Sequence, residues 1–168
     1  MKHKALVFAL MFFPILAQAS DYEITVDRKK DALSQSHEGS IQHNSQNWVG
    51  EVKLTNHGFK DSPNLDLQYV VFVKRQDLGI KADAAEHVEK VRGSLQIPSV
   101  KGGATTTANT NEVKLRRQQL DPHTVFLNGG IGKAEDTVLG IWVRLSQGGK
   151  QVAEYVNPTT LTTKFKWE

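Results

Sequence analysis

Cysteine is absent from all 168 residues of the chain. That excludes a disulfide-stapled fold, a cysteine-ligated zinc or iron–sulfur site and a lipoprotein anchored through a cysteine at its cleavage point. Long apolar runs are absent too. The one strong apolar stretch, Ala5 to Leu16 in MKHKALVFALMFFPILAQAS, has 12 residues, against the roughly 20 a bilayer-spanning helix needs. Lys2 and Lys4 precede it and Ala17-Gln18-Ala19 follows. This is the layout of a secretory signal peptide, expected over residues 1–19, with one domain over 20–168 and no transmembrane segment after cleavage.

No sign of charge predominates. The chain has 21 Lys and Arg against 18 Asp and Glu, and losing Lys2 and Lys4 leaves 19 against 18. A domain so nearly neutral has no electrostatic footprint for nucleic acid. The basic runs DRKKD (27–31) and KLRRQQ (114–119) are expected to be solvated faces. An Asn-x-Ser/Thr acceptor is missing as well, because Asn157-Pro158-Thr159 is blocked by its proline. An exported domain without disulfides must be held by its core alone. A chain of about 150 residues can do this, since it buries about two-thirds of its unfolded surface. These features together point to a bacterial envelope or secreted protein.

Catalytic signatures are equally scarce. GGIGK (129–133) has Leu127 and Ala134 where a phosphate-binding loop needs glycine and Ser or Thr. HVE (87–89) lacks the cysteine half of a zinc deaminase site. His37, His43, His57, His87 and His123 never fall at metal-ligand spacing. No Gly-x-Ser-x-Gly elbow occurs. Asp61, Asp66, Glu112, Asp121, Glu135 and Asp136 are enough for a carboxylate pair, but nothing brings two of them together. The expectation is a protein that is not an enzyme and needs no cofactor or metal.

What the chain does have is alternation with period two, the mark of half-buried strands. YEITVD (22–27), NWVGEVKLTN (47–56), LDLQYVVFVKR (65–75), SLQIPSV (94–100) and EVKLRRQ (112–118) all show it, as do TVLGIWVRLSQ and KQVAEYVN around Gly148-Gly149 and a last run, LTTKFKW (161–167). In 65–75 the residues Leu65, Leu67, Tyr69, Val71 and Val73 share one face. Pro98 marks 94–100 as a sheet edge. Trp48 and Trp167 are in phase with core aliphatics. KADAAEHVEKVRG (81–93) breaks the pattern. Its helix formers, the turn-by-turn spacing of Ile80, Ala84, Val88 and Val91, and Gly93 as a terminator predict a short amphipathic helix. An all-β, immunoglobulin-like antiparallel sandwich of about seven or eight strands with one short inserted helix follows.

A two-residue turn at Gly148-Gly149 pairs Leu145 with Val152 and Trp142 with Tyr155. Leu139, Ile141, Val143, Leu145, Val152 and Val156 then line the core face. Glu154 falls inward opposite Val143 unless a bulge or a longer loop reorients it. Trp142 projects from the other face, and so do Val70 and Phe72 on the long strand. Val70, Phe72, Trp142 and Tyr155 thus form a candidate binding patch on the outside of one sheet. Two settings fit it: an exposed surface that meets a partner, or a second small core covered by the 81–93 helix or by residues 29–46.

The strand order and the tail GIWVRLSQGGKQVAEYVNPTTL ending in FKW resemble secreted immunoglobulin-like or fibronectin-type-III-like sandwiches of Planctomycetes and Verrucomicrobia, some encoded in pilus-associated gene clusters. The resemblance implies a non-enzymatic binding or structural module of the cell envelope, periplasmic, outer-membrane-associated or secreted. Its partner would be an envelope protein or a second copy of itself. Exposed aromatics stacking on sugar rings would make it a glycan-binding module instead.

Overall fold

The computed structural model describes residues 21–30, 33–82, 84 and 86–168; the expected signal peptide lies outside the described residues. Ten strands and one short helix follow in order: β1 (Tyr22–Lys30), β2 (Ser34–Glu38), β3 (Ile41–Asn56), β4 (Leu65–Gln76), β5 (Glu86–Ile97), β6 (Thr105–Asn109), β7 (Val113–Leu120), β8 (Lys133–Glu135), β9 (Thr137–Gln147), β10 (Lys150–Asn157) and α1 (Leu161–Lys164).

All pairings are antiparallel and fall into two sheets. In the first, β3 is the spine. β1 pairs with its residues 48–56 and β2 with 41–45 along one edge. β6 pairs with 51–55 and β7 with 41–48 along the other edge, and β8 lies outside β7. β1 with β2, and β6 with β7, are therefore two rows each broken once. The second sheet runs β10-β9-β4-β5. Counted by rows, the ten strands make eight, against the seven or eight expected, with chain crossings between sheets after β3, β5 and β8.

The core lies between the sheets, where alternation says it should. β4 supplies Leu65, Leu67, Tyr69, Val71 and Val73 and β9 supplies Ile141, Val143 and Leu145; Ile24, Trp48, Val52, Leu54 and Val113 face them from the first sheet. Each such side chain, buried, adds about 1.5–3 kcal/mol, which is how the fold holds without a disulfide.

Two expected elements come out differently. Residues 86–97 are not helical: β5 pairs with β4 over twelve residues, from Glu86 opposite Gln76 to Ile97 opposite Leu65. Helix propensity is a weak prior and sheet pairing overrides it. Charge complementarity favours the strand, since Lys74 reaches Glu86 at 3.3 Å and Arg75 reaches Glu89 at 2.6 Å. Gly93 is not a helix terminator. It sits directly opposite Tyr69, and a Cβ there would meet the phenol at 2.2 Å. Its missing side chain lets Tyr69 lean over β5 and accept a hydrogen bond from the Asn111 backbone N–H at 2.8 Å. The second difference is the last run, 161–167. It forms α1 and an extended tail instead of a strand.

Candidate functional site

The hairpin turns at Gly148 and Gly149, with φ of 57° and 80°, a conformation that glycine adopts without cost. A register shift between Gln151 and Ala153 then moves β10 by one residue, so that Leu145 faces Ala153, Val143 faces Tyr155 and Trp142 faces Val156. The shift settles Glu154, which pairs with Arg144 on the outer face. It also separates the expected quartet. Tyr155 packs against the main core, and its hydroxyl accepts a hydrogen bond from Asn157 at 3.2 Å. Val70, Phe72 and Trp142 remain together outside, joined by Leu139 and Val156, which alternation alone had assigned to the inner face.

That outer face is covered, and by neither of the expected segments. Residues 86–93 form part of β5, and the strands in the described part of 29–46 belong to the first sheet. The cover is the stretch after β10. Leu161, Phe165 and Trp167 pack on Val70, Phe72 and Trp142, leaving these three at 1%, 0% and 6% exposure. Phe165 stacks on Phe72 with ring centroids 4.8 Å apart, and Trp167 meets Trp142 edge-on at 5.5 Å. Trp167, expected in the main core, is thus in the cover, while Trp48 is in the core as expected. The Arg144 guanidinium lies 4.3 Å from the Trp167 ring and 5.1 Å from Trp142, a favourable cation–π setting. One oxygen of Glu154 holds both groups, accepting from Trp142 Nε1 at 2.9 Å and Arg144 Nε at 2.8 Å. Lys90 of β5 ties down the far end by donating to the carbonyls of Lys166 and Glu168. Gly140 makes the approach feasible, because a Cβ there would stand 2.2 Å from the Asn157 carbonyl oxygen and 2.8 Å from Leu161.

A second polar centre joins the sheets at their other seam. Asp136, with 1% of its side chain exposed, accepts from Arg75 Nη1 at 2.8 Å, Arg116 Nε at 3.1 Å and the backbone N–H groups of Arg116 and Gln76. Burial pushes its carboxyl pKa up, but hydrogen bonds from Arg116 and Arg75 outweigh this and hold it below the ordinary aspartate value. Both oxygens are engaged in joining strands. Among the described residues no cluster of three His, Asp or Glu could hold a metal, and no helix is long and apolar enough to cross a membrane.

Exposed large apolar side chains among the described residues include Leu33, Phe59 and Val88, each apart from the others in sequence, and a group of three on loops where alternation gives no signal. The loop after β4 and the loop between β7 and β8 are joined by Gly79 N–H to the Ile131 carbonyl (3.1 Å), Ile131 N–H to the Ile80 carbonyl (3.0 Å) and the Asn128 amide to the Gly79 carbonyl (3.0 Å). Phe126 packs on Gly79. On this joined loop end Val125 is 78%, Leu127 102% and Ile80 41% exposed. The signal that could have found them was three large aliphatics inside Gly- and Asn-rich loops with no strand phase to bury them.

No family model matches the sequence, and no curated protein matches it. Among solved structures, the chain is similar to a protein of Akkermansia muciniphila at 15% identity and a TM-score of 0.37, over 88% of this chain and 78% of that one. A likeness of that degree carries no statement about function. The chain's own two sheets establish it as an all-β sandwich.

Proposed function

We propose that the mature domain is a non-enzymatic interaction module of the bacterial cell envelope, exported by its N-terminal segment, and that it meets a protein partner or a second copy of itself through the joined loop end. The observation that supports this most directly is the exposure of Ile80, Val125 and Leu127 on two loops fixed to each other by backbone hydrogen bonds. Large aliphatics held in water by an ordered scaffold are the anatomy of a contact surface. The sheet face first expected to bind is occupied by residues of its own chain. The same occupation weighs against glycan stacking on that face, which needs open rings where Phe72 and Trp142 have Phe165 and Trp167.

Replacing Val125 and Leu127 by serine tests the proposal. Capture of envelope proteins by the mature domain, and any self-association seen by sedimentation, should be lost while the melting temperature stays unchanged. Equal capture by wild type and variant would overturn it.

A further inference from the structure

A cavity of about 280 Å³ is walled by β1, β3, β7, β8 and the start of β9. Among the described residues five charged ones line it: Arg28, Arg116, Arg117, Glu135 and Asp136. Their pairing is uneven. Arg116 is matched by Asp136 at 3.1 Å. Arg117 reaches Glu135 only at 3.8 Å, and Lys133 shares that carboxylate at 3.7 Å. Arg28 has no partner among the described residues. The lining therefore has one positive charge in excess, set beside the apolar side chains of Leu115 and Val138. Asn44 lies in the same wall and buries its Oδ1 without a hydrogen-bond partner, a costly state that an N–H donor on a ligand, such as the amide beside a peptide's C-terminal carboxylate, would relieve.

We propose that this cavity binds the carboxylate of a small molecule with an apolar tail. Arg28 and Arg117 take the carboxylate, for which the planar guanidinium fork is suited, and Leu115 and Val138 take the tail. One surplus charge matches a monoanion better than a phosphate dianion, which would meet Glu135 as well. A peptide C-terminus and a short fatty acid both present this chemistry. The site is distinct from the loop end, so either proposal can fail without the other.

Amide NMR of the mature domain, titrated with N-acetyl-leucine, 4-methylpentanoate and the uncharged N-acetyl-leucinamide, tests it. Saturable shifts are expected at Leu115, Arg117 and Val138 with the two acids at millimolar concentration. Binding of the amide should be weaker by about tenfold or more. Tighter binding of N-acetyl-leucine would assign the peptide source, and tighter binding of 4-methylpentanoate the fatty acid. Arg28→Gln and Arg117→Gln should each weaken the acids by about tenfold with unchanged melting. Arg28, exposed and without a partner among the described residues, is the substitution least able to disturb folding. The absence of saturable shifts, equal binding of acid and amide, or indifference to both substitutions would overturn the proposal.

Discussion

Trp167 stands edge-on to Trp142 with 5.5 Å between ring centroids, and Arg144 lies against both indoles. The sandwich therefore has a third layer over the centre of its second sheet. Val70, Phe72 and Trp142 are core residues, although they point away from the space between the sheets.

Phe72→Ala and Trp142→Ala should each cost about 3–5 kcal/mol, as for aromatic truncations in a packed core. For a domain this size, with about 2–4 °C per kcal/mol, the melting temperature should fall by roughly 10 °C. A melt unchanged by either substitution would show that the cover does not form.

Trp167→Ala should cost less, about 1–2 kcal/mol, because that indole is only partly buried. Removing residues 161–168 should open the whole face. Dye binding to exposed apolar surface should then rise sharply, with concentration-dependent association visible by light scattering.

Gly93→Ala forces a methyl to within 2.2 Å of the Tyr69 phenol and should cost about 1–3 kcal/mol as overpacking. Tyr69→Phe removes only the hydrogen bond to Asn111 and should cost about 1 kcal/mol. Denaturant unfolding of the two variants and their combination checks the coupling. Their losses should not add, since both act on one contact.

Asp136→Asn should lose about 3 kcal/mol at neutral pH by leaving Arg75 without its buried partner. The folded-state pKa of Asp136 lies below its unfolded value. Its stabilisation is therefore complete above the unfolded pKa, about 3.9, and is lost as pH falls through the folded value. Wild type should lose stability more steeply than the variant on acidification below about pH 4. Parallel stability–pH curves would contradict this.

Period two made both faces of β4 legible, because an undisturbed strand shows its inside and outside in every second residue. The same rule failed wherever a residue was inserted or a segment left the sheet. In KQVAEYVN the inward-falling Glu154 hints at a bulge but does not place it, and the shift at Val152 turns Tyr155 inward and Glu154 outward. Phe165 and Trp167 alternate as a strand would, and only their tertiary position shows that the alternation serves a covering strap. The Ala- and Glu-rich stretch before Gly93 reads as helix locally. Its strand state depends on β4, whose Lys74 and Arg75 supply the cross-strand ion pairs. Charge along an outermost strand also guards it against unwanted pairing, so its composition suits its place once that place is known.

Val70 and Phe72 gain much of their cover from Leu161, Phe165 and Trp167, which follow them in the chain only after β5 to β10. A chain emerging N-terminus first carries the middle of β4 without this cover until residues 161–167 have followed. Such a delay is when newly made proteins most need a chaperone. For this protein the vulnerable interval should close only as Trp167 arrives.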